Sequence, residues 1–191
     1  MKVKRALTDR ESAIPALAEA FREHGFEGAT LATLSKATDL GKGSLYNFFP
    51  GGKEEMMEAV LEHIDGWFAK AIFSPLEQVS DPAAAVTAMF DDVTAYFRSG
   101  RRVCVVGCLG LNSSGETFAV KVKDYFARWI AALAHCLEVG KVPTALALAE
   151  EAVSGIQGAI VLARALGDEA SFERIVHRLR STLLDAINRQ G

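Results

Sequence analysis

Residues 42–53 read Lys-Gly-Ser-Leu-Tyr-Asn-Phe-Phe-Pro-Gly-Gly-Lys. Ser44, Tyr46 and Asn47 put neutral donors and acceptors on the outer face of a short helix predicted over about 42–49. An asparagine amide can bridge N6 and N7 of adenine with two hydrogen bonds. Gly43 lets a backbone approach a phosphate closely, and Lys42 and Lys53 can neutralise phosphate charge. Lys53 begins a further predicted helix, whose first N–H groups favour an anion. Thr30 and Thr33, at the start of the preceding helix, can bond the flanking sugar–phosphate backbone. This is the chemistry of contacting base edges and phosphates of a nucleic-acid duplex.

These side chains need elements to hold them. Thr30 is a suitable N-cap for a helix over about Leu31–Thr38, and Asp39-Leu40-Gly41 makes the turn into the next. Asp39 tolerates a positive φ better than most non-glycine residues. Ser35 is small enough for a close helix crossing, and Leu31, Leu34, Leu40, Leu45 and Phe48 can lock the pair against the first helix. That helix shows a stripe of Ile14, Leu17, Ala18 and Phe21, opens on a capping-box pattern at Thr8 and Glu11, and can close at Gly25 in a left-handed conformation. Pro15 implies either a kink or a regular helix starting only near Ile14. Together this is helix-turn-helix geometry, with the second helix placed for the major groove. On pattern alone, such a pair is equally at home in helical proteins that never touch DNA, with Tyr46 half-buried and Lys36 a solvated charge.

The run FREHGFEGATLATLSKATDLGKGSLYNFFPGGKEEM resembles the signature of TetR-type transcriptional regulators. The resemblance covers about residues 10–60 and rests on Phe21, Gly25-Phe26, the small residue at 29, Gly43-Ser44-Leu45-Tyr46, Phe49-Pro50 and Lys53. It implies a three-helix DNA-binding domain ahead of a larger helical domain that binds a ligand and forms the dimer. It places Thr33, Lys42, Gly43, Ser44, Tyr46, Asn47 and Lys53 at DNA-contact positions. Asp39 stands where glycine is usual, Asn47 where histidine is frequent, and Gly41 where serine or threonine is common. The Pro-Gly-Gly-Lys turn and Gly107-Cys108 resemble an LmrA-like subgroup. The implied division is a DNA-binding domain at 1–52 and a ligand-binding and dimerisation domain at 53–191.

The rest of the chain repeats the helical period. Stripes run through Met57–Phe68, Val86–Phe97, Phe118–Leu133, Val153–Ala163 and Phe172–Leu183, and no stretch alternates with period two. The fold class is all-α, with about nine helices. Breaks fall at Pro50-Gly51-Gly52, Asp81-Pro82, Gly100, Gly140 and Gly167. Half of the 191 residues are hydrophobic and 24% are charged, which excludes a disordered or fibrous chain. The net charge of −3 hides an asymmetry: residues 1–53 hold 8 Lys/Arg and 6 Asp/Glu, a balance of +2, against 13 and 18, or −5, in 54–191. A mildly basic segment on an acidic body is a weak sign of polyanion contact. The polar N-terminus shows no secretory h-region, and the apolar stretch 145–165 carries Glu150, Glu151 and Arg164, so neither secretion nor a membrane partner is expected. Three cysteines make no disulfide framework, and a reducing, cytoplasmic location is expected.

In the second part, Trp67, Phe68, Met89, Phe90, Phe97, Cys108, Leu111, Tyr125, Phe126 and Trp129 supply surface for a flat apolar ligand, with Asn112 as a polar anchor. The stretch VCVVGCLGLNSSGE reads as a short helix and loop near that cavity. Aromatic stripes at helical spacing are also what a plain core looks like. Cys104 and Cys108 are four apart, but His24, His63, His135 and His177 are dispersed, so no metal and no cofactor are expected. The last helices, about 143–167 and 171–189, carry Gly155, Gly158, Ile160, Leu162, Ile175, Leu179 and Leu183. These suit a four-helix homodimer interface or an intrachain hairpin, and the resemblance favours the dimer. Two recognition helices would then meet a palindromic operator in major grooves roughly 34–36 Å apart.

Three functions compete. A repressor would release double-stranded DNA when a small-molecule effector binds, through the helix predicted over Gly52–Phe73. An enzyme finds no support, since HExxH, GxSxG and Walker A patterns are missing. A helical binding module without DNA affinity is the remaining alternative.

Overall fold

The computed structural model describes residues 9–111 and 115–190. Asn112 lies outside the described residues. Among the described residues ten α-helical segments run α1 (Arg10–Gly28), α2 (Leu31–Thr38), α3 (Lys42–Phe48), α4 (Gly52–Phe68), α5 (Ser74–Glu77), α6 (Pro82–Tyr96), α7 (Val105–Leu109), α8 (Gly115–Val139), α9 (Ala145–Leu166) and α10 (Glu169–Asn188). A π-helical turn, Ala69–Phe73, joins α4 to α5 without leaving helical dihedrals, so the ten segments make nine rods. No strand occurs among the described residues. The all-α expectation therefore holds.

The described residues form two compact units, one within 1–65 and 105–121, the other within 66–104 and 122–191. In the first, α1 packs on α2 and α7, and α2 on α3. Ala13, Leu17, Phe21, Leu34, Leu45 and Phe49 are buried there. The N-cap of α1 is Asp9, one residue beyond the expected capping box at Thr8. Its carboxylate accepts from Ser12 N at 2.7 Å, and Ser12 Oγ accepts in turn from Asp9 N at 3.5 Å. The backbone hydrogen bond from Ser12 holds the Asp9 carboxyl below its usual value. Pro15 neither kinks α1 nor delays it, because the helix starts at Arg10 and its interior break is at Gly25. Gly25 has φ 68 and ψ 175, which is not the left-handed cap expected but the extended positive-φ region open to glycine.

In the second unit, α10 packs along both α9 and α6. Asp81 caps α6 through Ala84 N at 3.0 Å, with Pro82 in the first turn. Gly167 ends α9 in a left-handed conformation, and Asp168 caps α10. The turn after α6 holds Arg98, Ser99 and Gly100 at positive φ. A Cβ on Gly100 would lie 2.8 Å from Ala163 Cβ and 2.9 Å from Phe172 Cβ, so only glycine fits there. By length and composition α9 is apolar enough to cross a membrane, although it carries three charged residues. One face of α9 is buried: Ala149, Ala152, Val153, Ile156, Ala159, Ile160 and Ala163.

Candidate nucleic-acid interface

The α2–α3 pair is built as its local sequence dictates. Thr30 Oγ1 accepts from Thr33 N at 3.1 Å and lies 2.9 Å from Thr33 Oγ1. Asp39 takes φ 58 and ψ 24, the left-handed conformation that ends α2. Ser35 does more than allow a close crossing: its hydroxyl donates to the Leu40 carbonyl and ties the turn. Thr38 Oγ1 donates to Leu34 O at 2.8 Å. Leu34 and Leu45 are fully buried, whereas Leu31, Leu40 and Phe48 are only half-buried. The remaining full anchor is Phe49, just past α3, with the Arg10 guanidinium 5.0 Å from its ring centroid. Phe48 and Phe49 both follow Leu45 at helical spacing, three and four residues on, so the period alone does not choose between them.

With Leu45 and Phe49 turned inward, α3 offers its other face to solvent. Lys42, Gly43, Tyr46 and Asn47 are exposed, Tyr46 at 50%, and Ser44 is half-exposed. Of the two threonines, Thr30 is exposed and Thr33 partly so. Tyr46, Gly51, Gly52, Lys53 and Phe26 line one shallow concavity of about 710 Å³, into which Glu27 and Glu54 also face. At the start of α4 the Gly51 N–H is already held by Glu55 Oε2 at 2.7 Å, and Gly52 N donates to Phe49 O at 2.9 Å. Those two amides are therefore not offered to an anion. Lys53 itself is half-buried, and its Nζ stands 4.4 Å from the Phe26 ring centroid.

The residues picked for a ligand separate into two groups. Trp67, Phe68, Phe97, Tyr125 and Trp129 gather in the second unit around Phe68, whose centroid lies 5.0–6.3 Å from those of Tyr125, Trp67, Trp129 and Phe97. Tyr96 and Phe73, not singled out beforehand, belong to the same cluster. Phe126 packs edge-on against Tyr125 at 5.1 Å. Trp129 Nε1 is buried without a hydrogen-bond partner among the described residues. Phe90 is buried apart from these rings, beside a groove lined by Asp91, Arg98, His177 and Arg180. Cys108 and Leu111 belong to the first unit and are exposed, Leu111 at 83%. No cluster of three metal-ligating side chains occurs among the described residues.

The α9–α10 residues also divide. A Cβ on Gly155 would come within 2.7 Å of Leu179 Cδ1, so Gly155 serves the hairpin within the chain. Ile160 and Leu183 are buried in the same hairpin, and Ile175 and Leu179 are half-buried. Gly158 and Leu162 are exposed, with Val161, Ala165 and Leu166 continuing their stripe at helical spacing. Those three carry the signal that was overlooked: α9 has a second apolar face, and the first is already used.

A capped helix pair whose second helix turns neutral polar side chains and Lys42 outward defines the class, a helix-turn-helix protein. Comparison with known proteins agrees. Residues 14–60 match the family described as bacterial regulatory proteins, tetR family, and residues 82–178 the LmrA/YxaF-like transcriptional regulator C-terminal domain. The chain belongs to the TetR family of transcriptional regulators and carries an LmrA/YxaF-like C-terminal domain. The HTH-type regulator LmrA of Bacillus subtilis is 30% identical over 88 residues, 46% of this chain and 47% of LmrA, so the match spans about half of that relative. YxaF of the same organism is 25% identical over 132 residues, 67% of this chain and 69% of YxaF. Among solved structures, the TetR-family regulator CifR complexed with 26-bp operator DNA shares the fold at TM-score 0.75 and 21% identity, covering 94% of this chain and 98% of CifR.

Proposed function

We propose that the protein is a homodimeric repressor that binds a palindromic operator and leaves it when a small apolar or aromatic effector binds. The observation that carries this reading is the exposed face of α3, where Lys42, Gly43, Tyr46 and Asn47 stand free while Leu45 anchors the helix. Tyr46, Asn47 and Ser44 contact base edges; Thr30, Thr33, Lys42, Gly43 and Lys53 contact the backbone. Residues 1–52 act as the DNA reader and 53–191 as the effector and dimer module. The capture of CifR on operator duplex supports operator binding. The exposed stripe Gly158, Val161, Leu162, Ala165 and Leu166 supports a second copy packing on α9, burying apolar surface that is otherwise wet. The effector enters among the rings around Phe68, where Trp129 Nε1 offers a buried donor to a polar atom. The chain acts in the cytoplasm, by binding and not by catalysis.

The test is selection of genomic fragments on the purified protein at two salt concentrations. An enriched palindrome whose binding weakens steeply with salt supports the reading. No enrichment, before and after unfolding and refolding to strip any bound effector, overturns it.

A further inference from the structure

Lys53 begins its helix above an aromatic ring. Its Nζ lies 4.4 Å from the centroid of Phe26, and among the described residues it forms no ion pair. Phe26 sits just past the break at Gly25, half-buried. Two buried rings hold it: Phe21, stacked at 6.2 Å, and Phe118 of α8, edge-on at 5.2 Å and 76°. All four residues belong to the first unit.

The choice of partner has a physical consequence. A carboxylate beside Lys53 would neutralise the ammonium and compete with a phosphate. A ring face attracts the cation through its quadrupole and leaves the charge intact. It also restrains a side chain that would otherwise lose much rotamer freedom on docking. Glu27 and Glu54 line the same concavity, so an unrestrained ammonium would have carboxylates within reach.

We propose that Phe26 is a positioning residue for DNA binding: its ring presents the Lys53 ammonium to a phosphate, and Phe118, edge-on from α8, sets the ring in place. The proposal rests on the reading of Lys53 as a phosphate contact. It ties the first turns of α8 to a DNA-contacting charge through two rings.

The experiment is a double-mutant cycle on operator affinity across a salt series, with Phe26→Leu, Phe26→Tyr and Lys53→Met. Phe26→Leu is expected to weaken binding about two- to fivefold, the range for a cation–π contact at an exposed site. Phe26→Tyr keeps wild-type affinity, and Phe26→Leu has no further effect in the Lys53→Met background. Equal losses in both backgrounds, or none in either, overturn the proposal while leaving Lys53 as a phosphate contact. If Lys53→Met changes neither affinity nor salt slope, the underlying reading falls and the proposal with it. A DNA-free readout runs beside this: in the wild-type protein the Lys53 side-chain protons nearest the ammonium are shifted upfield by the Phe26 ring current. That shift disappears in Phe26→Leu. Its absence from the wild-type spectrum overturns the proposal even where Phe26→Leu does not fold.

Discussion

The two units use helices to opposite ends. In the first, the residues with chemistry face outward: Tyr46 and Asn47 are exposed on α3, and Leu45 between Ser44 and Tyr46 is fully buried. In the second, the rings that could receive a ligand are themselves the core, with Phe68, Phe97 and Trp129 fully buried. The difference shows why a presenting face can be compact while a set of rings that also forms a core is diffuse. A groove of DNA is met by a convex, pre-formed surface whose side chains need only be presented. A small apolar ligand must replace contacts that the core already makes with itself, so its residues serve stability and binding together.

That contrast can be broken at its strongest point first. Trp129→Ala removes a fully buried ring from the Phe68 cluster and is expected to destabilise the protein by about 3–5 kcal/mol, read by urea unfolding. A loss below 1 kcal/mol would mean that the cluster is loosely filled and already open to a ligand. The neighbours Leu45 and Tyr46 sharpen the other side. Leu45→Ala should lower stability by about 2–5 kcal/mol. Tyr46→Ala should leave stability within about 0.5 kcal/mol while weakening operator binding by about 1–3 kcal/mol. Equal unfolding midpoints for the two variants would refute the division of α3 into buried and presenting faces.

A smaller effect is expected at the cap. Thr30→Ala removes the acceptor for Thr33 N and should cost about 1 kcal/mol, seen as a lower thermal midpoint. The smallest concerns acid. In the second unit Arg128 holds Glu77 with two hydrogen bonds at 2.9 and 3.1 Å, which keeps the Glu77 carboxyl below its usual 4.5. A lowered carboxyl stabilises the fold above its unfolded value and loses that contribution as the pH falls through the folded one. Stability should therefore decline as the pH drops below 4.5, and Glu77→Gln should flatten the decline. Because the pair is partly exposed, the difference should stay below about 1 kcal/mol. A decline unchanged in Glu77→Gln would assign it to other carboxylates.

Much of the first unit was legible in residue order because its signals are local. Thr30 caps the helix that begins one residue later, Asp39 supplies its own left-handed turn, and Lys42 to Asn47 share one short helix. Where local rules competed, the structure chose differently. Asp9 caps α1 in place of Thr8, and the break falls at Gly25, not Pro15, since positive φ is open to glycine.

The sequence by itself determined an all-helical chain, a helix-turn-helix with its presenting face, and the family to which that pair belongs. Those follow from period, caps and side-chain chemistry within a few residues of one another. Tertiary structure alone decided that α7 joins the first unit, that Phe49 is the anchor in place of Phe48, that Gly155 serves the intrachain hairpin while Gly158 stays exposed, and that Phe26 lies under Lys53. Each of these depends on which face of a helix meets a partner distant in sequence, and hydrophobic periodicity marks a face without naming what will cover it.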